Sequence, residues 1–466
     1  MMKPIVSVSF ASLRIPFALV FLVSGCDSLG PIETTKTRNE PAGETSKSNL
    51  PFSDRGSQEF LTKITPSYAK KPELRFLRAP KLKDLEIPLQ PKMNSIWGAT
   101  GKDHLGRVYF GVSAWDGGKD PSAVLWRYDP VKDQFKELGS IRQKLEELGL
   151  RRSIPFAETQ IKIHSKIVQA TDGRMYFSSQ DEHQEDETGG RNPLFGGRLF
   201  ALDPITDQWE CILTAPEGLI AIAARNRYVV AQGYFGHVLY QYDVVSKTIR
   251  SRELGTFKGH ISRNIFMDRR MHVYGIRARI ATQDETIGIY NVGEASVRVS
   301  LVELDTELEE VQEWPLEDYL VTETTSSQGI TGYCELRDGT IVFVTQTGAL
   351  WKITIQDETA KLERVGWIGG DRESFCGGLF APFGDRFICG FTQRPTESTK
   401  VWTVYDLDTA QASFLKLDRQ SADLLSRPEL LTYGTETLDH QTRAYVVGWR
   451  QVGGGKAPHV LQLSWE

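Results

Sequence analysis

"IKIHSKIVQATDGRMYFSS", residues 161–179, reads as a strand, an Asp-Gly turn and a second strand. An Asx-Gly turn between apolar, β-branched and aromatic runs is the strongest short-range signal for a hairpin. Working outward, the same sentence recurs seven times from about residue 93. Turn and second strand appear as "HLGRVYFGV" (104–112), "DGRMYFSS" (172–179), "RNRYVVAQG" (225–233) and "DRRMHVYGI" (268–276). They return as "DGTIVFVT" (338–345), "GDRFICGF" (384–391) and "QTRAYVVGW" (441–449). A third strand follows each: "VLWRYDP" (124–130), "RLFALDP" (198–204), "VLYQYD" (238–243), "SLVELD" (300–305), "ALWKIT" (349–354), "VWTVYDLD" (401–408) and "VLQLSW" (460–465).

Seven four-stranded units at this spacing predict an all-β chain folded as a seven-bladed β-propeller, in which radial repetition leaves only short protected edges. The last unit ends on its third strand, so its outer strand must come from elsewhere. Residues 71–90, "KPELRFLRAPKLKDLEIPLQ", are placed to supply it and so to close the ring. One amphipathic helix is legible, "IRQKLEELGL" (141–150), between units one and two.

Composition fits that reading. Of 466 residues, 40% are apolar and 10% aromatic, enough for a large core, and 41 glycines with 21 prolines suit a fold of many turns. A net charge of −5 argues against a nucleic-acid partner, which favours a basic protein. Lys3 and Arg14 precede the short apolar run "IPFALVFLV", which is below the ~20 residues that span a bilayer. Residues 1–25 therefore read as a signal peptide. "VSGC", ending at Cys26, resembles a bacterial lipobox, which implies cleavage before Cys26 and acylation of its thiol; an ordinary secretory signal with a chance cysteine is the alternative. Residues 26–68, rich in Ser, Thr, Pro and charge, cannot bury enough apolar surface to offset ordering entropy and read as a lipid-anchored tether. The propeller takes 69–466. The expected setting is the cell envelope, with a membrane contact through the lipid.

In a propeller, first-strand starts and second-to-third-strand loops meet on one face, at the mouth of the channel. His164 stands at the first-strand start of blade two, and the long loop 180–197 carries His183. Blade three contributes Tyr234 and His237, and blade four contributes His260 and Arg263, with Arg277 and Arg279 expected in its following loop. Trp115, in "SAWDGGKD" (113–120), is suited to stacking on a sugar ring. His104 and His272 map to the opposite face. Imidazole and phenol transfer protons within hydrogen-bond reach, and guanidinium forks onto a carboxylate. Together they suit β-elimination from a uronate polysaccharide, which needs a carboxylate neutraliser, a base for the C5 proton and an acid for the leaving O4. Hydrolysis would want two flanking carboxylates, and the acidic run Asp181, Glu182, Glu185, Asp186, Glu187 reads as a solvated charge run.

On "KIHSKIVQATDGRMYFSS" (162–179), His183, "QGYFGH" (232–237) and "GGRLFALDP" (196–204), the chain resembles the seven-bladed propeller polysaccharide lyases, in particular the ulvan lyase group. The resemblance implies His164 and His183 around the uronate, Tyr234 as the proton-transfer residue and an arginine as neutraliser, Arg263 first and Arg277 next. Trp115, His237, Arg277 and Arg279 would bind substrate. No cofactor is required for such catalysis. Inner strands line the channel, so a structural zinc on His260, Cys334 and Cys376 is conceivable, and the resemblance supports a structural metal there; buried free thiols are the other reading. Two rival functions stay open. One is a non-catalytic scaffold that recruits protein partners. The other is a calcium-dependent lactonase, which would need Glu, Asn and Asp at channel-facing strand starts where His, Arg and Cys stand.

Overall fold

The Asp-Gly turn at 172–173 adopts the geometry its sequence demands, with Gly173 at φ +79°. The Asp172 carboxylate accepts from the Arg174 backbone N–H (3.2 Å), from Arg174 Nε (2.7 Å) and from the Tyr176 hydroxyl (2.7 Å). Three other blades repeat this staple. Asp103 holds Arg107 and Tyr109, Asp268 holds Arg270 and Tyr274, and Asp439 holds Arg443 and Tyr445. Each tyrosine ring is buried in its blade, so the staple satisfies a phenol that burial would otherwise leave orphaned.

A computed structural model describes residues 78–88, 93–114, 121–154, 157–186, 191–258, 260, 262–322, 328–370, 374–382, 386–394, 400–425, 431–439, 443–452 and 455–465, with backbone alone at 431–436 and 438. These residues form seven antiparallel sheets taken in chain order, the blades of a β-propeller. Blade one runs from the inner pieces Met93–Ser95 and Thr100–Lys102 through Val108–Ala114 and Val124–Asp129 to Gln134–Ser140. Blade two has inner pieces Lys162–Ile163 and Val168–Gln169, then Met175–Gln180, Gly197–Leu202 and Trp209–Ala215. Blade three is Leu219–Arg225, Tyr228–Gly233, Val238–Asp243 and Ile249–Glu253. Blade four is Phe266–Met267, Val273–Ile280, Ala295–Leu304 and Glu310–Pro315, with Ile289–Val292 added beside its third strand. Blade five spans Ile330–Glu335 to Thr359–Trp367, and blade six Phe375–Cys376 to Gln411–Leu415.

Blade seven is the closure. Leu431–Leu438, Ala444–Val452 and Gly455–Ser464 come from the end of the chain, and Lys81–Asp84 pairs with the last of these, Lys81 opposite Ser464 and Asp84 opposite Leu461. The expected outer strand therefore lies within 71–90 as read. The Leu82 N–H also donates to Ser421 Oγ at 3.1 Å, and Arg450 Nη1 reaches Asp84 at 3.0 Å. A barrel removes edges by closing one sheet; this ring keeps a short outer edge on each blade and joins its two chain ends by completing the last blade with the first strand.

Aromatic layers fill the spaces between blades. Phe110 and Tyr128 of blade one pack against Tyr445 of blade seven with ring centroids 6.3 and 6.2 Å apart. Blades one and two approach so closely at their inner strands that a Cβ on Gly101 would lie 1.6 Å from the Ile167 carbonyl oxygen. The read helix is present as Ile141–Glu147, capped by the Ser140 hydroxyl. A second short helix, Arg419–Leu425, lies before blade seven and carries little sequence periodicity to announce it. Signal peptide, tether, Cys26 and Trp115 all fall outside the described residues.

Candidate functional site

Two of the inner strands are interrupted just where the channel face begins. In blade two the gap between Ile163 and Val168 carries His164, and in blade one the gap between Ser95 and Thr100 carries Trp97. An interrupted strand releases side chains from strict alternation, and the two rings meet, centroids 5.8 Å apart. Tyr234, at the second-to-third turn of blade three, presents its ring edge-on to His164 at 6.1 Å. Arg263, just before the first strand of blade four, reaches back across the sequence, its Nη1 3.2 Å from His164 Nε2. Guanidinium only donates, so the imidazole is the acceptor. Three of the four residues read as catalytic, from three blades, thus share one cluster, with Trp97 and Lys162 beside them.

His164 is buried. Burial first, then the Arg263 and Lys162 charges, hold its pKa well below the ordinary imidazole range. The ring is neutral at pH 7, with a lone pair engaged by Arg263. Lys162 ion-pairs with Glu182 and lies 5.3 Å from the Trp97 ring centroid.

The turn bearing Tyr234 is clamped from beneath. The buried Glu217 carboxylate accepts the Phe235 and Gly236 N–H groups at 2.9 and 2.8 Å. Burial raises its pKa, against the pull of those N–H donors. The approach is possible only because residue 233 is glycine: a Cβ there would sit 2.0 Å from Glu217 Oε1. A buried carboxylate aimed at backbone N–H groups fixes the phenol's stem without exposing a charge.

His183 stands apart from the cluster by its contacts. Its Nδ1 faces Asp181 Oδ1 at 3.0 Å and its ring packs edge-on against Phe195 at 6.0 Å. Asp181 is fully buried and accepts further bonds from Thr159 N and Oγ1 (both 3.1 Å), Gln160 N (3.3 Å) and His183 N (2.9 Å). Sequence reasoning placed Asp181 in a solvated run; it is instead the buried anchor of an Asp–His pair. Donors from three backbone N–H groups outweigh its preference for water, a pairing that charge alternation cannot show. Lys162 connects the two groups, ion-paired to Glu182 beside this loop and stacked on Trp97.

The other predicted binders lie in different settings. His237 is buried, Nδ1 against the Ile276 carbonyl oxygen at 2.9 Å and Nε2 accepting the Ser262 N–H at 3.3 Å. Both ring nitrogens are thus committed to holding the segment that leads to Arg263. Arg277 and Arg279 are not in a loop: blade four's second strand runs through both to Ile280, because its hairpin is extended. Arg277 binds Glu313 and Glu310 at 2.7 and 2.8 Å, and Arg279 binds Glu285 at 2.6 Å.

The supposed zinc donors are not assembled with one another. His260 Nε2 lies 3.1 Å from the Tyr319 hydroxyl and Cys376 Sγ contacts the Gly378 carbonyl oxygen at 3.0 Å. Burial pushes the Cys376 thiol up to about 12. Among the described residues the trio of donor atoms within 4.8 Å of one another is Asp268, His272 and Glu303, on the opposite face. There Arg270 Nη2 already bridges Asp268 and Glu303 at 2.6 Å each, so a guanidinium occupies the cation's place. His104 lies with it on the far face, in the Asp103 turn, its Nδ1 3.0 Å from Gln169 Nε2.

No family model matches the chain, and no curated protein matches it. Similar solved structures include the mitotic checkpoint complex, at 8% identity over 91% of this chain and 99% of that one, TM-score 0.46. A protein of unknown function from Dyadobacter fermentans shares 12% identity over 83% and 99%, also at 0.46. The extracellular domain of a hybrid two-component system from B. thetaiotaomicron shares 12% over 81% of this chain and 39% of that one, at 0.46. The seven-bladed assignment stands on the sheet order itself.

Proposed function

We propose that this protein cleaves a uronic-acid-containing polysaccharide by β-elimination at the cell envelope, held there by a lipid on Cys26. The observation that carries the reading is the His164–Arg263 contact with Tyr234 edge-on to the same imidazole. A neutral, buried histidine beside a fixed guanidinium suits a substrate whose acidity is raised by its own carboxylate. On arrival the uronate carboxylate takes the Arg263 fork, which places positive charge where the enolate-like charge develops.

Releasing His164 from Arg263 frees its lone pair for the C5 proton. Electrons of that C–H bond form the C4–C5 double bond, the C4–O4 bond breaks, and O4 takes the Tyr234 hydroxyl proton. The products are a 4,5-unsaturated uronate and a free hydroxyl end; a proton passed from imidazolium to phenolate resets both groups. His183, oriented by Asp181, would contact the sugar at the rim of the loop.

The test is incubation with a panel of acidic polysaccharides while ultraviolet absorbance is followed at the enoate band. Wild type should raise the signal, and Tyr234→Phe and His164→Ala should each abolish it with the circular-dichroism spectrum unchanged. Absence of product from every polysaccharide, with stable partners recovered from membranes, would favour the scaffold role instead.

A further inference from the structure

Beyond the His164 cluster, a cation held between two indoles extends the same face into blade seven. The Ile96 N–H donates to the Gly448 carbonyl oxygen at 3.1 Å, which locks the start of blade one to the second strand of blade seven. That bond sets Trp97 beside Trp449, the residues next in sequence. Lys456, which follows the second-to-third loop of blade seven, lies over both: Nζ is 4.3 Å from the Trp449 ring centroid and 5.7 Å from that of Trp97.

Two cations near it are already paired. Arg450 is paired with Asp84, and Lys162 on the other side of Trp97 is paired with Glu182. Lys456 is exposed, and among the described residues no carboxylate lies within ion-pair distance of its ammonium. Indole faces orient a cation without cancelling its charge, so the ammonium is both held in place and available to an anion.

We propose that Trp97, Lys456 and Trp449 form a further binding subsite for an anionic sugar residue, one unit or more along the chain from the residue at His164. The proposal rests on the polysaccharide reading above and deepens it. An acidic glycan presents apolar C–H faces that lie on indole and carboxylate or sulfate groups that pair with ammonium. Trp97 touches both His164 and Lys456, so it is the shared wall between the reacting residue and its neighbour. The track therefore runs from blade two across blade one to blade seven.

The test uses disaccharides and hexasaccharides of sulfated glucuronate–rhamnose, oligogalacturonate and hyaluronan, with affinity read by calorimetry. The His164→Ala background prevents turnover without touching blade seven. Hexasaccharide of at least one series should bind more tightly than its disaccharide. Lys456→Gln, a change at an exposed side chain, and Trp449→Ala should each weaken the hexasaccharide roughly tenfold, the scale of an aromatic or charged anchor. Disaccharide affinity should change by less than about twofold. Equal affinity for both lengths, unchanged hexasaccharide binding in Lys456→Gln, or no binding of any series would each overturn the subsite. Failure of the lyase reading is separately visible, as absence of unsaturated product from the wild-type protein.

Discussion

Replacing His237 with asparagine removes a titratable ring from the dry segment that supports Arg263. The ring is fully buried, and burial lowers its pKa from 6.5 to about 4, opposed in part by the Nδ1–H bond to the Ile276 carbonyl. Protonation would also put a second N–H at Nε2, where the Ser262 N–H already points in. In the unfolded chain nothing prevents protonation. The folded-state pKa is depressed, so the associated stability is complete above the unfolded value of 6.5 and is lost as pH falls toward 4. By linkage the loss between about pH 8 and about pH 5 is roughly 2 kcal/mol from this one group. Asparagine tolerates the left-handed φ of +48° at this position. It should lower stability at pH 8 by ~1–3 kcal/mol, since one of the two backbone partners is left unmatched. Yet it should lose about 2 kcal/mol less than wild type on acidification. Guanidinium denaturation of both proteins at the two pH values gives the double difference. Equal acid losses in both proteins would refute the assignment of a neutral, buried ring to residue 237.

Arg263→Met should move the His164 titration upward, because the second-largest cause of its lowered pKa is removed while burial remains; a ring-proton NMR titration showing no upward shift would contradict the contact. Asp181→Asn turns an acceptor that receives four donors into a group with an N–H₂ facing some of them, and should cost ~1–3 kcal/mol in thermal or chemical unfolding. Cys376 and Cys389, both buried with thiols pushed upward by burial, should resist iodoacetamide near pH 8 until the protein is unfolded; labelling of either in native protein, read by mass spectrometry, would show that the site opens. Removing the chain through Asp84 should leave blade seven with an open edge and lower the melting temperature by several degrees. An unchanged melting curve would mean that the clasp contributes nothing.

The blade plan was legible because hairpin chemistry is local. Asp172–Gly173 dictates its turn from neighbouring residues alone, and the third strand of the last unit, with no fourth after it, points to a partner near residues 71–90. The face on which His164, Tyr234 and Arg263 meet followed from that plan. What escaped notice depends on distant residues or on breaks in the pattern. Trp97 lies where an inner strand lapses, and nothing in "NSIWGAT" (94–100) marks a lapse. Asp181 looks like its acidic neighbours until Thr159 and Gln160, over twenty positions away, are brought against it. Arg277 reads as available because Glu310 and Glu313 lie on another strand some thirty positions on, and even Glu285, six positions from Arg279, does not declare itself as its partner in the sequence.

The pairing of Lys81–Asp84 with Gly455–Ser464 has a temporal consequence. Arg450 and Asp84 meet across 366 positions, so the earliest-made strand waits through synthesis of nearly every blade before its place exists. Forming so distant a contact is slow and carries a large loop-closure cost. Chains cut short before blade seven would leave Lys81–Asp84 without a partner and the ring open, exposed to proteases, whereas its pairing with Gly455–Ser464 joins both ends of the ring in a single seam.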